Sequence, residues 1–396
     1  MALSTPADGI LRTRLSWNDL QDSLFEAFGK DAKLGPKKEV EDIGLSSIPS
    51  LLSLVESMGG LGESAAVAEF PREEFCRHLE STVKKIHNNE VTFFRLLKKY
   101  NVSKVARPEV YYMREFSEEN PSKAFIVMEY ITGNLSLHIF DNVTPDDILQ
   151  VLRTIAALQA ASLKFTDEDK GLFLKDIFKV VFGQAFTKEN VTSSLGLVRQ
   201  FLSDRLEKSI DQVESIAMEV INLDFADNLS DTIGMKRVLC HGDVWSTNII
   251  WKNGEKNVKL AALVDFQTSH FGCPATDIVR LLSACLSAKD RRENWEDLLG
   301  KFYCFLKEEV GNHEMPYTLE QLIQAYRRFF PFGAFMVFPM IAPMFQLANK
   351  SDDTEYKERV QKLIFEKTEG LLEDLVKFHE EDKNEADHGE NKKIIE

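Results

Sequence analysis

The stretch Val238–Trp251, VLCHGDVWSTNIIW, carries a histidine, an aspartate and an asparagine between two apolar runs. The runs have the composition of short buried strands, and the polar residues between them, His241, Asp243 and Asn248, form the pattern H-x-D-x-x-x-x-N. Taken one at a time, these residues are explained by a core histidine, a turn-capping aspartate and an asparagine in an Asx-turn. Residues further along the chain are needed to decide whether the loop has a function.

A second aspartate, Asp265, follows the next predicted strand in VKLAALVDF (258–266). The turn in KNGEKN reverses the chain after IIW, so this strand returns toward Asn248, and we expect Asn248 and Asp265 to be neighbours. An amide oxygen and a carboxylate suit Mg²⁺, which prefers oxygen ligands and keeps room for water and phosphate oxygens. Asp243, a few residues away, can accept the proton of a hydroxyl group. Together these residues predict a phosphoryl-transfer site.

Composition limits the class of protein. The chain of 396 residues is 44% hydrophobic, which is enough for a large core and favours two lobes over one. Its formal net charge of -15 argues against nucleic acid and anionic membrane as partners. The N-terminus has no basic start followed by an apolar core, so we expect no secretory signal and a cytoplasmic location. The five cysteines lack C-x-x-C spacing, which predicts buried free thiols instead of disulfides or a zinc site.

One run, FFPFGAFMVFPMIAPMF (329–345), is apolar and nearly long enough to cross a bilayer. Pro331, Pro339 and Pro343, with Gly333, would interrupt helical hydrogen bonding repeatedly, which lipid tolerates only where other protein covers the gaps. We therefore predict a broken, buried helical segment or pocket wall, and no membrane span.

The remaining patterns predict a two-lobed α+β protein, with a small, partly β first lobe and a large, mainly helical second lobe. Ser16 caps a first helix, and a long helix from Arg72 carries an apolar stripe on which Glu90 also lies. PEVYYMREF (108–116) and KAFIVMEYITG (123–133) predict a β-hairpin.

The domain boundaries follow from these elements. Residues 1–131 form the predicted first lobe and residues 132–378 the second, which begins with an amphipathic helix in PDDILQVLRTIAALQAASLKF (145–165) that has proline in its first turn. Residues 379–396 have almost no apolar side chain, so we expect a disordered acidic tail.

The stretches CHGDVWSTNIIW and VDFQTSHFGCPATDIVRLLSACLS resemble the CHK-kinase-like, or ecdysteroid-kinase-like, family. That family has the protein-kinase-like fold and is related to choline kinase and aminoglycoside phosphotransferases. The resemblance runs from about Trp17 to Phe378. It implies ATP and Mg²⁺ as cofactors, Asp243 as the catalytic base, and Asn248 of the catalytic loop together with Asp265 as the residues that hold Mg²⁺.

The resemblance assigns further residues. Asp277, in PATDI, would brace the catalytic loop from below, and an acid near a helix N-cap explains it equally well. FIVMEYITG resembles the family's hinge, where backbone groups of Glu129 and Ile131 would bind adenine and Met128 would line the rear of the pocket. A simple edge strand is the alternative. Glu90 matches the acid that pairs with a strand lysine in the family, and its place on a buried stripe calls for a partner.

Between EVEDIG (39–44) and the helix with Glu90, family members carry a Gly-rich hairpin over the ATP phosphates and then a strand that ends in a lysine. This chain continues with LSSIPSLLSLVESMGG (45–60), where neither part is recognisable, and the glycines of ESMGGLGES (56–64) favour a plain loop over a phosphate cradle. Nucleotide should then bind weakly, because the lysine–glutamate pair normally orients the phosphates.

Two functions remain open at this point. The first is an ATP-dependent kinase for a hydroxyl of a small, lipophilic acceptor, steroid-like or choline-like, with Trp295, Tyr326, Phe329 and Phe335 either lining the acceptor pocket or serving as ordinary core. A protein acceptor is disfavoured because the segment after Asp265 is too short to dock a peptide. The alternative is a pseudokinase or shortened isoform of the same fold that acts as a binding or scaffold protein with little catalytic activity.

Overall fold

The computed structural model describes residues 3, 5–40, 72–135, 137–183, 186–201, 206–255, 257–338, 341, 345 and 352–393. The chain forms two compact units. Unit 1 comprises Met1–Leu96 and Pro108–Tyr130, and unit 2 comprises Leu97–Arg107 and Ile131–Glu396. Helices dominate the described residues, and the strands are short and antiparallel, so the predicted α+β class is confirmed.

Unit 1 contains the predicted hairpin and the first helix. Strands β1 (Val110–Arg114) and β2 (Phe125–Met128) pair antiparallel, which confirms the hairpin. Helix α1 (Trp17–Phe28) begins with a capping box, in which the Ser16 hydroxyl accepts from the backbone N–H of Asp19 and the Asp19 carboxylate accepts from the backbone N–H of Ser16. The predicted cap is therefore confirmed.

Helix α2 (Arg72–Lys99) carries the predicted apolar stripe, and its residues from Leu97 onward belong to unit 2. Ile86 and Phe94 on this stripe are buried, whereas Glu90 between them is half-buried. The sequence predicts that residues 45–64 lack the Gly-rich hairpin and the strand lysine of the family. These residues lie outside the part of the chain that the structure describes.

Unit 2 holds most of the helices. Helix α3 begins at Pro145, as predicted, after a capping box formed by Thr144 and Asp147, and it ends three residues before the predicted end. The helices in the described part of this unit include α3 (Pro145–Ser162), α4 (Asp167–Lys170), α5 (Ile177–Phe182), α6 (Lys188–Phe201), α7 (Glu207–Val220), α8 (Leu223–Ile233), α9 (Ala275–Cys285), α10 (Ala288–Val310), α11 (Leu319–Phe335) and α12 (Thr354–Lys393).

Two small sheets in unit 2 support the loop 241–248. Strands β4 (Val238–Cys240) and β7 (His270–Gly272) pair antiparallel. Strand β5 (Ile249–Asn253) lies between β3 (Asn134–Leu135) and β6 (Val258–Leu263) in the second, also antiparallel sheet. The chain therefore passes from β4 in one sheet to β5 in the other through the polar loop.

Helix α9 runs through the core of unit 2, and all of its residues are buried. It packs against α11, where a side chain at Gly333 would place a Cβ 2.6 Å from Val279 Cγ1. Close approach of the two helices explains why this position is a glycine.

The apolar run from Phe329 is buried through Phe338, and α11 continues through Pro331 and ends at Phe335. The segment is therefore helical and buried, as predicted, but Pro331 does not break it; Pro339 and Pro343 lie outside the described residues. Among the described residues, none of the helices combines the length and apolarity that a membrane span requires.

Helix α12 differs from the expectation for the end of the chain. The sequence predicts a disordered tail from residue 379, whereas α12 continues to Lys393. Glutamate, lysine and alanine are good helix formers, and adding residues to an existing helix is far easier than starting one. Lys383 also forms an ion pair with Glu219 of α7, and Arg327 of α11 forms one with Glu381.

Candidate active site

The loop after β4 turns sharply at Gly242. Its φ is +87°, and a Cβ at this position would lie 2.3 Å from the Thr268 carbonyl oxygen. Only glycine adopts this conformation without strain while the backbone approaches so closely. The turn brings the next residue, Asp243, out of the core, and Asp243 is partly exposed whereas His241 and Val244 on either side are fully buried.

Asp277 braces this loop. It lies in the first turn of α9, and its two carboxylate oxygens each accept one hydrogen bond of 2.8 Å, from the backbone N–H groups of His241 and Gly242. Burial raises the pKa of Asp277 to about 6, against the effect of these hydrogen bonds. Of the two interpretations of Asp277, bracing of the loop is therefore the one that its contacts support.

His241 is buried, and its ring connects two segments of the site by hydrogen bonds. Its Nδ1 accepts from the Asp243 backbone N–H at 3.3 Å, so the ring proton is assigned to Nε2, which donates to the Val264 carbonyl at 3.0 Å. Burial lowers the pKa of His241 to about 4, so the ring is neutral at pH 7. The neutral ring thus joins the loop to the segment that leads to Asp265.

Asp243 and Asn248 contact each other directly. The Asn248 side-chain Nδ2 donates to both the backbone carbonyl and the Oδ2 of Asp243, each at 2.9 Å. This assignment of the amide leaves Asn248 Oδ1 as an oxygen available to a metal ion. The loop is thereby closed on itself, with the carboxylate and the amide oxygen in the same small region.

Asp265 is brought to this region by pairing of β5 with β6. Ile249 faces Leu263 across the sheet, and the Val264 N–H donates to the Asn248 carbonyl at 3.0 Å, so Asp265 follows immediately after the residue bonded to Asn248. Asp265 has a φ of +65°, a left-handed conformation that a non-glycine residue adopts at a cost and that occurs often at functional sites. The predicted neighbourhood of Asn248 and Asp265 is therefore observed.

The donor set fits Mg²⁺ better than a transition metal. No group of three or more His, Cys, Asp or Glu side chains that suits a metal ion occurs in the described part of the chain. Mg²⁺ is usually held by one or two carboxylates together with water and substrate phosphates, and the carboxylate of Asp265 with the amide oxygen of Asn248 matches that requirement.

Arg280 is the site residue that the sequence did not identify. It lies on α9 one turn after Asp277, and its Nη2 is 2.5 Å from Asp243 Oδ1. The signal was present in the apolar string DIVRLL, because an arginine within a fully buried helix requires a partner.

The residues predicted to bind adenine are divided between the two units. Met128 ends β2 and Glu129 follows it, both in unit 1, whereas Ile131 belongs to unit 2. The Glu129 N–H donates to the Glu109 carbonyl at 2.7 Å, so only the Glu129 carbonyl remains to bind a base. The roles of these residues and of Glu90 remain predictions.

The aromatic residues considered for an acceptor pocket belong to the core instead. Tyr326, Phe329 and Phe335 are almost completely buried, and Trp295 stacks on Tyr326 with ring centroids 5.0 Å apart. Ring packing within the core, such as the contacts of Tyr326 with Trp295, Phe330 and Phe378, explains their burial without a ligand.

A family model described as DUF1679, Uncharacterized oxidoreductase dhs-27, matches residues 3–59 and 45–383. The Uncharacterized kinase-like protein D1044.1 of Caenorhabditis elegans is 26% identical over 295 residues, which cover 72% of this chain and 75% of that protein. The Uncharacterized oxidoreductase dhs-27 of Caenorhabditis elegans is 24% identical over 287 residues, which cover 70% of this chain. Those residues make up 33% of that protein, so the chain spans about a third of its length.

Among solved structures, a choline kinase from Cryptosporidium parvum Iowa II is 14% identical with a TM-score of 0.40, covering 76% of this chain and 79% of that one. The kinase-like character predicted from the loop agrees with the kinase-like relative. Since the family model matches well over half of the sequence, the chain belongs to the family described as DUF1679, Uncharacterized oxidoreductase dhs-27.

Proposed function

We propose that this chain is an ATP-dependent phosphotransferase that acts on a hydroxyl group of a small, lipophilic molecule, in the manner of ecdysteroid- or choline-kinase-like enzymes. One observation carries the proposal: Asp243 and Asn248 are hydrogen-bonded to each other in a braced loop, and strand pairing brings the left-handed Asp265 next to them. A base, an amide oxygen and a second carboxylate in this order are what phosphoryl transfer to a hydroxyl requires.

Each residue has a separate role in the proposal. Asp243 accepts the hydroxyl proton, and Asn248 Oδ1 and Asp265 hold Mg²⁺. When bound, Mg²⁺ neutralises charge on the phosphate oxygens of ATP. Backbone groups of Glu129 and Ile131, with Met128 behind them, would hold the adenine.

The short chain segment after Asp265 supports a small acceptor. Residues 266–276 include β7, and most of them are buried. They therefore leave little exposed backbone on which a peptide substrate could dock. The lipophilic class of acceptor rests on the family resemblance. A cytoplasmic location fits the five cysteines, which are all free thiols.

Phosphoryl transfer explains this chain better than the hydride transfer suggested by the word oxidoreductase. Dinucleotide-binding folds use a parallel sheet with a helix that begins at the pyrophosphate. Every strand pairing in the described ranges is antiparallel. The relative that is named an oxidoreductase is longer than this chain, and the match covers 33% of its length.

The pseudokinase alternative has one observation in its favour. Both carboxylate oxygens of Asp243 are already engaged, Oδ1 by Arg280 and Oδ2 by Asn248. A protein that binds Mg²⁺-ATP without releasing ADP would match this alternative.

The test combines binding with turnover. Mg²⁺-ATP at ten times its Kd would stabilise the protein by about 1.4 kcal/mol, which a thermal shift detects. We expect the shift and the release of ADP in the parent, and loss of both in Asp265→Asn. Asp167→Asn, at a fully exposed aspartate of the same unit, is the matched control and should behave as the parent. Absence of a shift at millimolar ATP would rule out the proposed function.

A further inference from the structure

The Asp243 carboxylate is held from two sides by different elements. Arg280, from helix α9, contacts Oδ1 at 2.5 Å, and Asn248, from the loop itself, donates to Oδ2 at 2.9 Å. The Arg280 side chain is 10% exposed and that of Asp243 is 19% exposed. The two contacts fix both the position of the carboxylate and the rotation of its plane.

Stability alone is a poor explanation for Arg280. Two of its nitrogen atoms, Nε and Nη1, are buried and have no hydrogen-bond partner among the described residues. Its guanidinium carbon lies 5.8 Å from the centre of the Trp245 ring, a distant cation–π contact. A buried ion pair with unsatisfied donors is often no more stable than apolar residues of similar volume.

Arg291 shows what a structural arginine looks like in the same unit. Its Nε and Nη2 both donate to Asp374 Oδ2, and Nη2 also donates to the Gly370 carbonyl, which ties α10 to α12. Arg280 instead directs a single nitrogen at a single carboxylate, and that carboxylate belongs to the candidate base. The comparison separates an arginine that joins helices from one that orients a side chain.

We propose that Arg280 is a positioning residue for phosphoryl transfer, which holds the Asp243 carboxylate in the orientation from which it takes the acceptor proton. The inference rests on the proposed function. Helix α9 then acts on the loop twice: Asp277 fixes the backbone at Gly242, and Arg280, one turn later, fixes the side chain at Asp243.

This geometry is compatible with a working base. Each carboxylate oxygen has two lone pairs, so one contact on each oxygen leaves a lone pair on each for the acceptor hydroxyl. The hydroxyl proton passes to an Asp243 oxygen as the hydroxyl oxygen bonds to the transferred phosphorus and the bond to the bridging oxygen of ADP breaks. Arg280 keeps its charge throughout and takes no part in the proton transfer.

The test uses Arg280→Met, which removes the charge and retains much of the volume, and Arg280→Lys, which retains the charge. Crystal structures of both variants report the orientation of Asp243, and ADP release with water as acceptor reports turnover. In Arg280→Met we expect the carboxylate to rotate about the contact that Asn248 still makes with Oδ2, so that Oδ1 leaves its present position. We expect kcat to fall about 10- to 100-fold, since small misplacements of reacting groups cost about 10²-fold.

The remaining readouts separate positioning from stability. KM for ATP should stay within about twofold in Arg280→Met because the residue does not touch nucleotide in the proposal, and Arg280→Lys should recover part of kcat. Arg291→Lys, the matched control, should lower the melting temperature without lowering kcat. An Asp243 carboxylate that keeps its orientation in Arg280→Met would overturn the inference. If the carboxylate turns in Arg280→Met but the parent releases no ADP, Arg280 does position Asp243 and the proposed function is wrong.

Discussion

Replacing Gly242 with alanine tests whether the turn after β4 is as tightly constrained as its geometry indicates. The added methyl group meets two separate obstacles. The φ of +87° is unfavourable for any L-residue, and the new Cβ would lie 2.3 Å from the Thr268 carbonyl oxygen and 2.8 Å from its hydroxyl. Because the nearer atom belongs to backbone, the clash cannot be relieved by a side-chain rotation alone.

The magnitude follows from the two effects. A left-handed backbone costs an L-residue roughly 1–2 kcal/mol, and forcing an extra methyl into a packed site costs roughly 1–3 kcal/mol, so Gly242→Ala should lose about 2–5 kcal/mol of unfolding free energy. Gly234 in the same unit has φ +73° and ψ +30°, in the left-handed region, and a Cβ added there would meet only Gln321 Nε2, at an ordinary contact distance of 3.8 Å. Gly234→Ala therefore incurs only the first cost, about 1–2 kcal/mol.

Urea unfolding of the two variants and the parent measures this difference directly. ADP release should fall in Gly242→Ala but not in Gly234→Ala, because relief of the clash would pull the Gly242 N–H away from Asp277. Equal loss of stability in the two variants, with equal ADP release, would refute the constraint that we attribute to the turn.

Two further predictions concern buried titratable groups. Asp277→Ala leaves the backbone N–H groups of His241 and Gly242 unpaired, which costs about 1–3 kcal/mol each. It also removes a carboxyl group whose pKa burial raises to about 6. As the pH falls, the folded parent binds this proton at a higher pH than the unfolded chain does. The free energy of unfolding of the parent therefore rises by about 1.4 kcal/mol from pH 7 to pH 5, and the stability deficit of the variant grows by that amount. His270→Asn should act in the opposite sense. Burial lowers the pKa of His270 to about 4, so between pH 6.5 and pH 4 the unfolded parent binds a proton that the folded parent does not, and the parent loses about 2 kcal/mol by pH 5 that the variant does not lose.

Urea unfolding at pH 7 and pH 5 checks both predictions, since the contributions of all other groups cancel in each comparison with the parent. A deficit of Asp277→Ala that shrinks toward pH 5 contradicts the raised pKa of the buried carboxylate. A His270→Asn variant with the same acid sensitivity as the parent contradicts the neutral, buried histidine.

The sequence by itself determined the elements whose causes are local. A capping box needs only Ser16 and Asp19 three residues apart, and the β-hairpin needs two β-prone runs and a polar turn. The approach of Asn248 and Asp265 also follows from a strand, a reversal and a returning strand within a short span. These features are readable because short-range hydrogen bonding and turn chemistry decide them.

Only the tertiary structure decided the contacts made across the core of unit 2. The sequence explains Asp277 equally well as an acid at a helix end or as a brace for the loop. The packing of α9 against the loop after β4 decides for the brace, because it brings Asp277 within hydrogen-bonding distance of the loop backbone. The pairing of Arg280 with Asp243 depends on the same packing, because residues distant along the chain meet only once the helix is buried. The sequence therefore predicted which side chains the loop carries. The orientation of those side chains depends on helix α9, whose position no local sequence pattern specifies.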